Sequence, residues 1–205
     1  MTEPVEVAEH AESVVDGVWH WRIANRNIGG ATSSCQLIDH AGTAALIDPV
    51  QLADPAWREL PVPQAIVLTA KVHQRSAWHY RTRFGAEVWA PAGTRPMDEQ
   101  PDHVYAEGDD LPAGLRPLRT PGPEQIHFCL VSAHEPGVLF CSDLLSVRDG
   151  RLEFVPLEYH DDPPETRSSV ERLLDEPFSV LCLDHGPPIA HGAKDTIRDL
   201  LQRTA

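Results

Sequence analysis

Residues 65–90 read AIVLTAKVHQRSAWHYRTRFGAEVWA and carry the clearest structural pattern in the chain. Residues 65–68 form a continuous apolar run with β-branched members, which is typical of a strand buried on both faces. Between residues 74 and 84 the apolar side chains recur at helical spacing, and Gly85 follows as a helix stop. Residues 87–90 predict a second strand. The segment therefore predicts a helix that packs against the strand before it.

The rest of the chain continues this alternation of short strands and helices. Further strands are predicted at residues 34–38, 44–47, 115–118, 126–131, 138–140 and 178–183. One helix is predicted to begin at Pro163-Pro164, and a last one to present Ile197, Leu200 and Leu201 on one face. This pattern predicts an α/β or α+β protein with helices outside a sheet core. Because no linker or repeat divides the 205 residues, we predict a loose arm over residues 1–12 and a single domain over residues 13–205.

Charge and composition exclude several classes of function. The chain has 17 Lys+Arg and 31 Asp+Glu, a net charge of −14, which repels polyphosphate backbones and argues against a nucleic-acid partner. The N-terminus lacks the pattern of a secretory signal, and no apolar run reaches the roughly 18 residues of a membrane span. We therefore expect a cytoplasmic protein with no membrane partner. Its four cysteines form no Cys-x-x-Cys pair and are expected to be buried and reduced.

Five motifs at predicted strand ends carry polar groups. They are LIDP at 46–49, IVLT at 66–69, TPG at 120–122, LFCSDLL at 139–145 and LDHG at 183–186. In order and spacing this series resembles the metallo-β-lactamase superfamily, and the resemblance runs over residues 14–203. It implies an α+β fold, a four-layer αββα sandwich with a metal site at one edge. In that family one or two zinc or iron ions activate a water molecule that attacks esters, amides, thioesters or phosphodiesters.

The residues at the family's ligand positions depart from its pattern, which is Thr-His-x-His-x-Asp-His, then Pro-Gly-His, then Gly-Asp and a late His. The residues that replace the ligands are Ala70, Val72, Gln74, Arg75 and Pro123. Asp143 and His185 keep their ligand types. Two protein ligands are too few for a zinc site, which needs at least three, and the permanent charge of Arg75 opposes a divalent ion.

Two other arrangements of these residues remain open. In the first, His73 and His127 join Asp143 and His185 in a rebuilt set of three nitrogens and one oxygen, which suits zinc or iron. The alternative is that His73 is a solvated loop residue and His127 a half-exposed strand residue. In the second arrangement, Arg75 pairs with Asp143 and holds the same loops together without a metal.

Two further residues near these motifs receive structural roles. Cys141 shares the strand face of Asp143 and could donate a thiolate, but a small packed core residue is the role we favour. Asp48 belongs to the family's strand-end pattern and is expected to be structural. No residue is assigned to catalysis.

Two functions follow from this resemblance. We favour a metallo-β-lactamase-fold protein with a largely lost metal site, a non-catalytic or ligand-binding descendant with no cofactor. The alternative is a metal-dependent hydrolase of a small ester, thioester or amide, with zinc or iron in a reduced or rebuilt mononuclear site. The chain length leaves no room for the added regions of RNA-processing or glyoxalase-type branches. A small-molecule ligand and a homodimer remain open as partners.

Overall fold

Two large β-sheets form the centre of the structure, a computed structural model that describes residues 4–94 and 97–204. Within these residues the strands are β1 (Val7–Ala8), β2 (Glu12–Val15), β3 (Val18–Asn25), β4 (Ala31–His40), β5 (Thr43–Ile47), β6 (Gln51–Leu52), β7 (Ala65–Val67), β8 (Glu87–Pro91), β9 (His103–Tyr105), β10 (Leu115–Arg119), β11 (Phe128–Ser132), β12 (Val138–Arg148), β13 (Arg151–Phe154) and β14 (Val180–His185). The α-helices are α1 (Ala77–Phe84), α2 (Pro163–Leu173) and α3 (Ala193–Arg203).

The first sheet has the strand order β2-β3-β4-β5-β7-β8-β9. Its pairs are antiparallel from β2 to β5 and parallel from β5 to β9. Side chains of β7 alternate between two apolar clusters, with Ile66 in the cluster that includes Tyr80 of α1 and Val67 in the cluster between the sheets. Burial on both faces explains why residues 65–68 form an uninterrupted apolar run.

The second sheet has the order β10-β11-β12-β13, and β14 pairs with β12 in parallel. Helices α2 and α3 cover its outer face, where Val170 and Ile197 pack in one cluster with Leu181. Its inner face packs against the first sheet through Leu130 and Phe140. The layers are therefore helix, sheet, sheet, helix, which confirms the predicted α+β sandwich of αββα type.

Helix α1 begins later than the sequence pattern predicts. Residues Lys71–His73 form a short 3₁₀ turn, and Arg75 has a φ of 36°, which an α-helix does not contain. The helix therefore begins at Ala77 rather than at residue 74. This break in the helix turns the side chains of His73 and Arg75 toward the sheet edge, where the candidate site lies.

Other differences from the predicted elements are local. Val7–Ala8 pairs with Gln51–Leu52, and Ala8 is buried, so this part of the segment 1–12 is not the loose arm that we predicted; residues 1–3 lie outside the described residues. Strands β9 and β13 were not predicted. The four cysteines are free and buried, as expected. Within residues 4–94 and 97–204, none of the helices has both the length and the apolar character of a membrane span.

Candidate functional site

Polar side chains from five segments meet at one edge of the sandwich. Asp48 follows β5, Thr69 follows β7, and His73 and Arg75 come from the turn before α1. Ser142 and Asp143 lie within β12, and Asp184 and His185 end β14. Because β12 and β14 are parallel neighbours, their polar residues reach the same edge. Hydrogen bonds from Gln36 to Leu183 O (3.0 Å) and from Ser34 to Gly186 O (3.4 Å) tie the end of β14 to β4 of the other sheet.

The carboxylate of Asp48 is held in place by Thr69. It accepts hydrogen bonds from the Thr69 backbone N–H (2.9 Å) and from Thr69 Oγ1 (2.5 Å), and the residue is fully buried. Burial alone would raise the pKa of Asp48, but the neighbouring charge of His73 and the hydrogen bonds lower it below its ordinary value of 3.8. Asp48 is therefore a buried anion, which agrees with its predicted structural role.

His73 stands between three carboxylates. Its Nδ1 lies 3.1 Å from Asp48 Oδ2 and 3.1 Å from Asp184 Oδ2, and its Nε2 lies 3.2 Å from Asp143 Oδ2. Since both ring nitrogens face carboxylate oxygens, both carry a proton and the ring is an imidazolium. Burial alone would lower the pKa of His73, but the three carboxylates, Asp143 foremost, raise it well above 6.5. The expectation of a solvated loop residue is wrong, because His73 is only 4% exposed.

Arg75 supplies a second buried cation. Its Nη2 lies 3.1 Å from Asp184 Oδ2, and its Nη1 donates to the backbone carbonyls of Ser34 (2.8 Å) and Asp48 (2.9 Å). The side chain is 5% exposed. The guanidinium is therefore paired with Asp184, not with Asp143 as the metal-free arrangement predicted. The reason is that Asp184, at the end of β14, lies next to the turn that contains Arg75. Asp143 is instead paired with His73 and His185.

Asp143 and His185 form the accessible part of the site. Asp143 Oδ1 lies 2.9 Å from His185 Nε2, and the side chains are 23% and 19% exposed. His185 Nδ1 donates to Thr32 O at 2.6 Å. Although burial opposes both charges, the neighbouring histidines lower the pKa of Asp143 well below 3.8, and Asp143 raises the pKa of His185 above 6.5. The two side chains are therefore an ion pair at the opening of the site.

The charges of this cluster balance. Asp48, Asp143 and Asp184 are the three carboxylates, and His73, Arg75 and His185 are the three cations. Burial, the largest effect, raises the pKa of Asp184 to about 6, so this carboxyl group is mostly ionised above that pH. We call these six residues the charge network. Three of the four residues of the rebuilt ligand set, His73, Asp143 and His185, belong to it.

The fourth residue of that set, His127, lies outside the charge network. It precedes β11 instead of lying within it, and it is fully buried, not half-exposed. Its Nδ1 donates to Thr120 O at 2.8 Å, and among the described residues its Nε2 has no hydrogen-bond partner. Burial lowers the pKa of His127 to about 4, so the ring is neutral. That any of these four residues binds a metal stays a prediction.

Sequence reasoning missed Asp184 and Ser142. Asp184 stands directly before His185 at a strand end, and this adjacency was the one signal for it. Ser142 Oγ lies 3.0 Å from His73 Nδ1, the same nitrogen that faces Asp48 and Asp184. His73 contacts Ser142 through Nδ1 and Asp143 through Nε2, which is the division of ring nitrogens that a catalytic triad uses. Ser142 is buried, however, and His73 Nδ1 also faces Asp48 and Asp184, so Ser142 is not placed as an accessible nucleophile.

The charge network does not suit a metal ion as it stands. One ligand atom each from Asp48, His73 and Asp184 lies within 4.8 Å of the others, a spacing that three metal ligands could have. Their acceptor and donor atoms are, however, already paired with one another and with Arg75. An imidazolium offers no lone pair, and a guanidinium 3.1 Å from Asp184 repels a divalent ion. In this arrangement the ligand atoms of Asp48 and Asp184 are therefore paired with internal cations.

Comparisons with known proteins bear on the fold. No protein-family model matches the chain, and no curated protein sequence matches it. Among solved structures, a metallo-beta-lactamase from Pontibacter korlensis is 17% identical, with a TM-score of 0.73 over 95% of this chain and 99% of that chain. The metallo-beta-lactamase FIM-1 from Pseudomonas aeruginosa, in its mono-zinc form, is 14% identical, with a TM-score of 0.66 over 100% of this chain and 98% of that chain.

A third solved structure is similar over most of the chain. A metallo-beta-lactamase family protein from Thermus thermophilus is 19% identical, with a TM-score of 0.65 over 94% of this chain and 80% of that chain. The three superpositions cover 94–100% of this chain with TM-scores of 0.65–0.73. The chain therefore has the metallo-β-lactamase fold.

Proposed function

We propose that this chain descends from the metallo-β-lactamase superfamily, has exchanged the metal ions for internal cations, and works as a non-catalytic, ligand-binding protein. The observation that carries the proposal is the buried Arg75 guanidinium, bonded to Asp184 in the middle of the carboxylates. With His73 it neutralises charge that a metal ion would otherwise balance. Without a metal, the site has no means of activating a water molecule by lowering its pKa.

The binding part of the proposal rests on the exposed edge of the charge network. Asp143 and His185 are each about a fifth exposed, while His73 and Asp184 beneath them are closed off. A small polar ligand could therefore contact this ion pair without entering the network. A cytoplasmic location, which was expected from the sequence, and a homodimer, which the sequence left open, remain parts of this proposal.

Metal content tests the proposal directly. Protein purified without chelators should contain far less than one zinc, iron or manganese ion per chain by plasma mass spectrometry, and EDTA should leave its Tm unchanged. Near-stoichiometric metal would overturn the proposal if it is lost in the Asp143→Ala/His185→Ala double variant. Replacement of the exposed His10 and His191 by alanine is the matched control, since it removes only surface histidines.

A metal-dependent hydrolase is the second candidate. The convergence of Asp48, His73 and Asp184 favours it, since the three could hold an ion once Arg75 leaves Asp184 and His73 loses a proton. Hydrolysis of a small activated ester that requires added zinc, and that Asp184→Asn abolishes, would establish this function. Zinc-independent background rates in both proteins would exclude it for that substrate class.

A further inference from the structure

The side chains at the opening of the charge network have no N–H group left to offer to a ligand. His185 directs Nε2 to Asp143 Oδ1 at 2.9 Å and Nδ1 to Thr32 O at 2.6 Å, so both of its donors are used. His73 beneath it directs both ring nitrogens to carboxylates. Each oxygen of Asp143 accepts one of these contacts, whereas a carboxylate has about four acceptor positions. The free hydrogen-bonding capacity of these side chains is therefore that of an acceptor.

A short turn brings apolar residues to the same opening. The 3₁₀ turn Leu157–Tyr159 follows β13. Before this turn, the Val155 backbone N–H donates to Leu144 O at 3.1 Å. After it, His160 lies close enough to Asp143 for the charge and the backbone carbonyl of Asp143 to act on its imidazole. Both ends of the turn are therefore held beside Asp143.

Three apolar side chains next to the opening are exposed. Tyr159 is 74% exposed, Leu157 is 41% exposed, and Val72, which directly precedes His73, is 47% exposed. Among the residues that the structure describes, seven large apolar side chains are exposed, so three of the seven lie beside one ion pair. Exposed apolar side chains that are grouped in this way mark binding sites, whereas scattered ones need no explanation.

The charge of the chain favours a positively charged ligand at this position. Glu158 and Asp161 are exposed and flank Tyr159 in the sequence. The chain as a whole has a net charge of −14. Such a field attracts cations and repels carboxylates and phosphates. The field therefore agrees with the free acceptor positions of Asp143, which also require a donor.

We propose that the opening of the charge network binds a small organic ammonium ion that carries an aromatic or aliphatic body. This inference rests on the proposed function and names the class of ligand for that site. The ammonium group donates hydrogen bonds to the free acceptor positions of Asp143, and the body packs against Val72, Leu157 and Tyr159. The exposed ring of Tyr159 also offers its face to the cation.

Three matched probes test this proposal by isothermal titration calorimetry. They are phenethylammonium, hydrocinnamate, which has the same body with a carboxylate in place of the cation, and ethylammonium, which lacks the ring. We expect phenethylammonium to bind at least about ten-fold more tightly than either of the others. Its affinity should fall as the NaCl concentration rises, because salt screens the attraction. Equal or tighter binding of hydrocinnamate would overturn the proposal, and so would the absence of phenethylammonium binding.

An exposed aromatic residue provides the matched variant. Tyr159→Ala should weaken phenethylammonium binding by about five-fold, because it removes the ring that packs against the ligand. Val62→Ala is the control and should leave the affinity unchanged. Val62 is 57% exposed, but it precedes β7, and the site lies at the other end of that strand. Equal affinities of the wild type and Tyr159→Ala would contradict the proposed contact.

Metal analysis of the same samples separates this proposal from the one on which it rests. Near-stoichiometric metal in the wild-type protein would overturn the proposed function and this inference with it. Metal-free protein that shows no preference for phenethylammonium would overturn the ligand class alone.

Discussion

Arg75 is the residue on which the proposal of a metal-free site most depends. Its φ of 36° breaks the start of α1, and its guanidinium reaches Asp184 and two backbone carbonyls of the sheet edge. The same residue therefore shapes the backbone and neutralises a buried carboxylate. This double role makes its replacement the most informative single change.

We predict that Arg75→Met destabilises the protein by about 3–5 kcal/mol, because it removes the guanidinium that pairs with the buried Asp184 and leaves the backbone carbonyls of Ser34 and Asp48 without this donor. Urea denaturation measures this change in the free energy of unfolding. Arg198→Met is the control, since its ion pair with Asp195 is exposed and is worth at most about 0.5 kcal/mol. Adding Asp184→Asn to Arg75→Met should recover part of the loss. Equal effects of the two arginine variants would contradict a buried network.

His20 makes stability depend on pH at a position outside the charge network. Burial, followed by the charge of Arg22, lowers the pKa of His20 from 6.5 to about 4. As the pH falls, His20 is therefore protonated in the unfolded chain before it is protonated in the folded protein. The contribution of the neutral, buried His20 side chain to stability is complete above pH 6.5 and is lost as the pH falls toward 4.

We predict that His20→Gln removes on the order of 2 kcal/mol of the stability lost between about pH 7 and about pH 4.5, because glutamine does not titrate. Denaturation curves of both proteins at the two pH values give this difference. The exposed His191→Gln is the control and should leave the pH dependence as in the wild type. An unchanged slope in His20→Gln would show that folding does not lower the pKa of His20.

At the scale of elements, the loop after β10 is locked onto the start of α2. Gly122 has a φ of +131°, and a Cβ atom at this position would lie 2.4 Å from Thr166 N. Gly122 O also accepts from the Asp162 backbone N–H at 2.9 Å, and the Asp162 side chain caps α2 by accepting from Glu165 N. This close approach requires glycine for both conformation and space.

Gly122→Ala should therefore destabilise the protein more than Gly108→Ala. Both glycines have positive φ, so each substitution costs about 1–3 kcal/mol in backbone strain, but a Cβ at Gly108 meets nothing within 4 Å. The excess in Gly122→Ala measures the contact with α2 and is read from the difference in Tm. Equal losses would mean that the loop moves away from α2 without cost.

At the scale of the whole molecule, the two sheets share one apolar layer. Ile47 and Val67 come from the first sheet, and Leu130 and Phe140 from the second. Neither sheet can keep its inner face buried without the other. The sandwich is therefore expected to unfold as a unit.

Phe140→Ala should lower the Tm of a single calorimetric transition without splitting it. The expected loss is about 3–5 kcal/mol, since the substitution leaves a cavity in the layer between the sheets. Equality of the calorimetric and van't Hoff enthalpies in both proteins is the measure of cooperativity. Two resolved transitions would show that the sheets unfold independently.

The sequence by itself determined the alternation of short strands and helices, and the four-layer αββα sandwich was implied by the family resemblance of the strand-end motifs. Apolar runs at residues 65–68 and 178–183, helix stops such as Gly85 and the strand-end motifs depend on local periodicity and turn chemistry, which a single sequence displays. It also led us to predict that most of the family's ligand positions carry other residues. The short strands β9 and β13 were not predicted, because residues 103–105 and 151–154 are too few to show the alternation of a strand.

The tertiary structure alone decided which charges meet. Arg75 and Asp184 are 109 positions apart, and the choice of Asp184 over Asp143 depends on the distance between two sheet edges. No periodicity encodes that distance, because it results from the packing of β14 against β4 and from the positive φ of Arg75. The sequence gives the type of each residue, but the electrostatic energy of a buried charge depends on neighbours that only folding brings close to it.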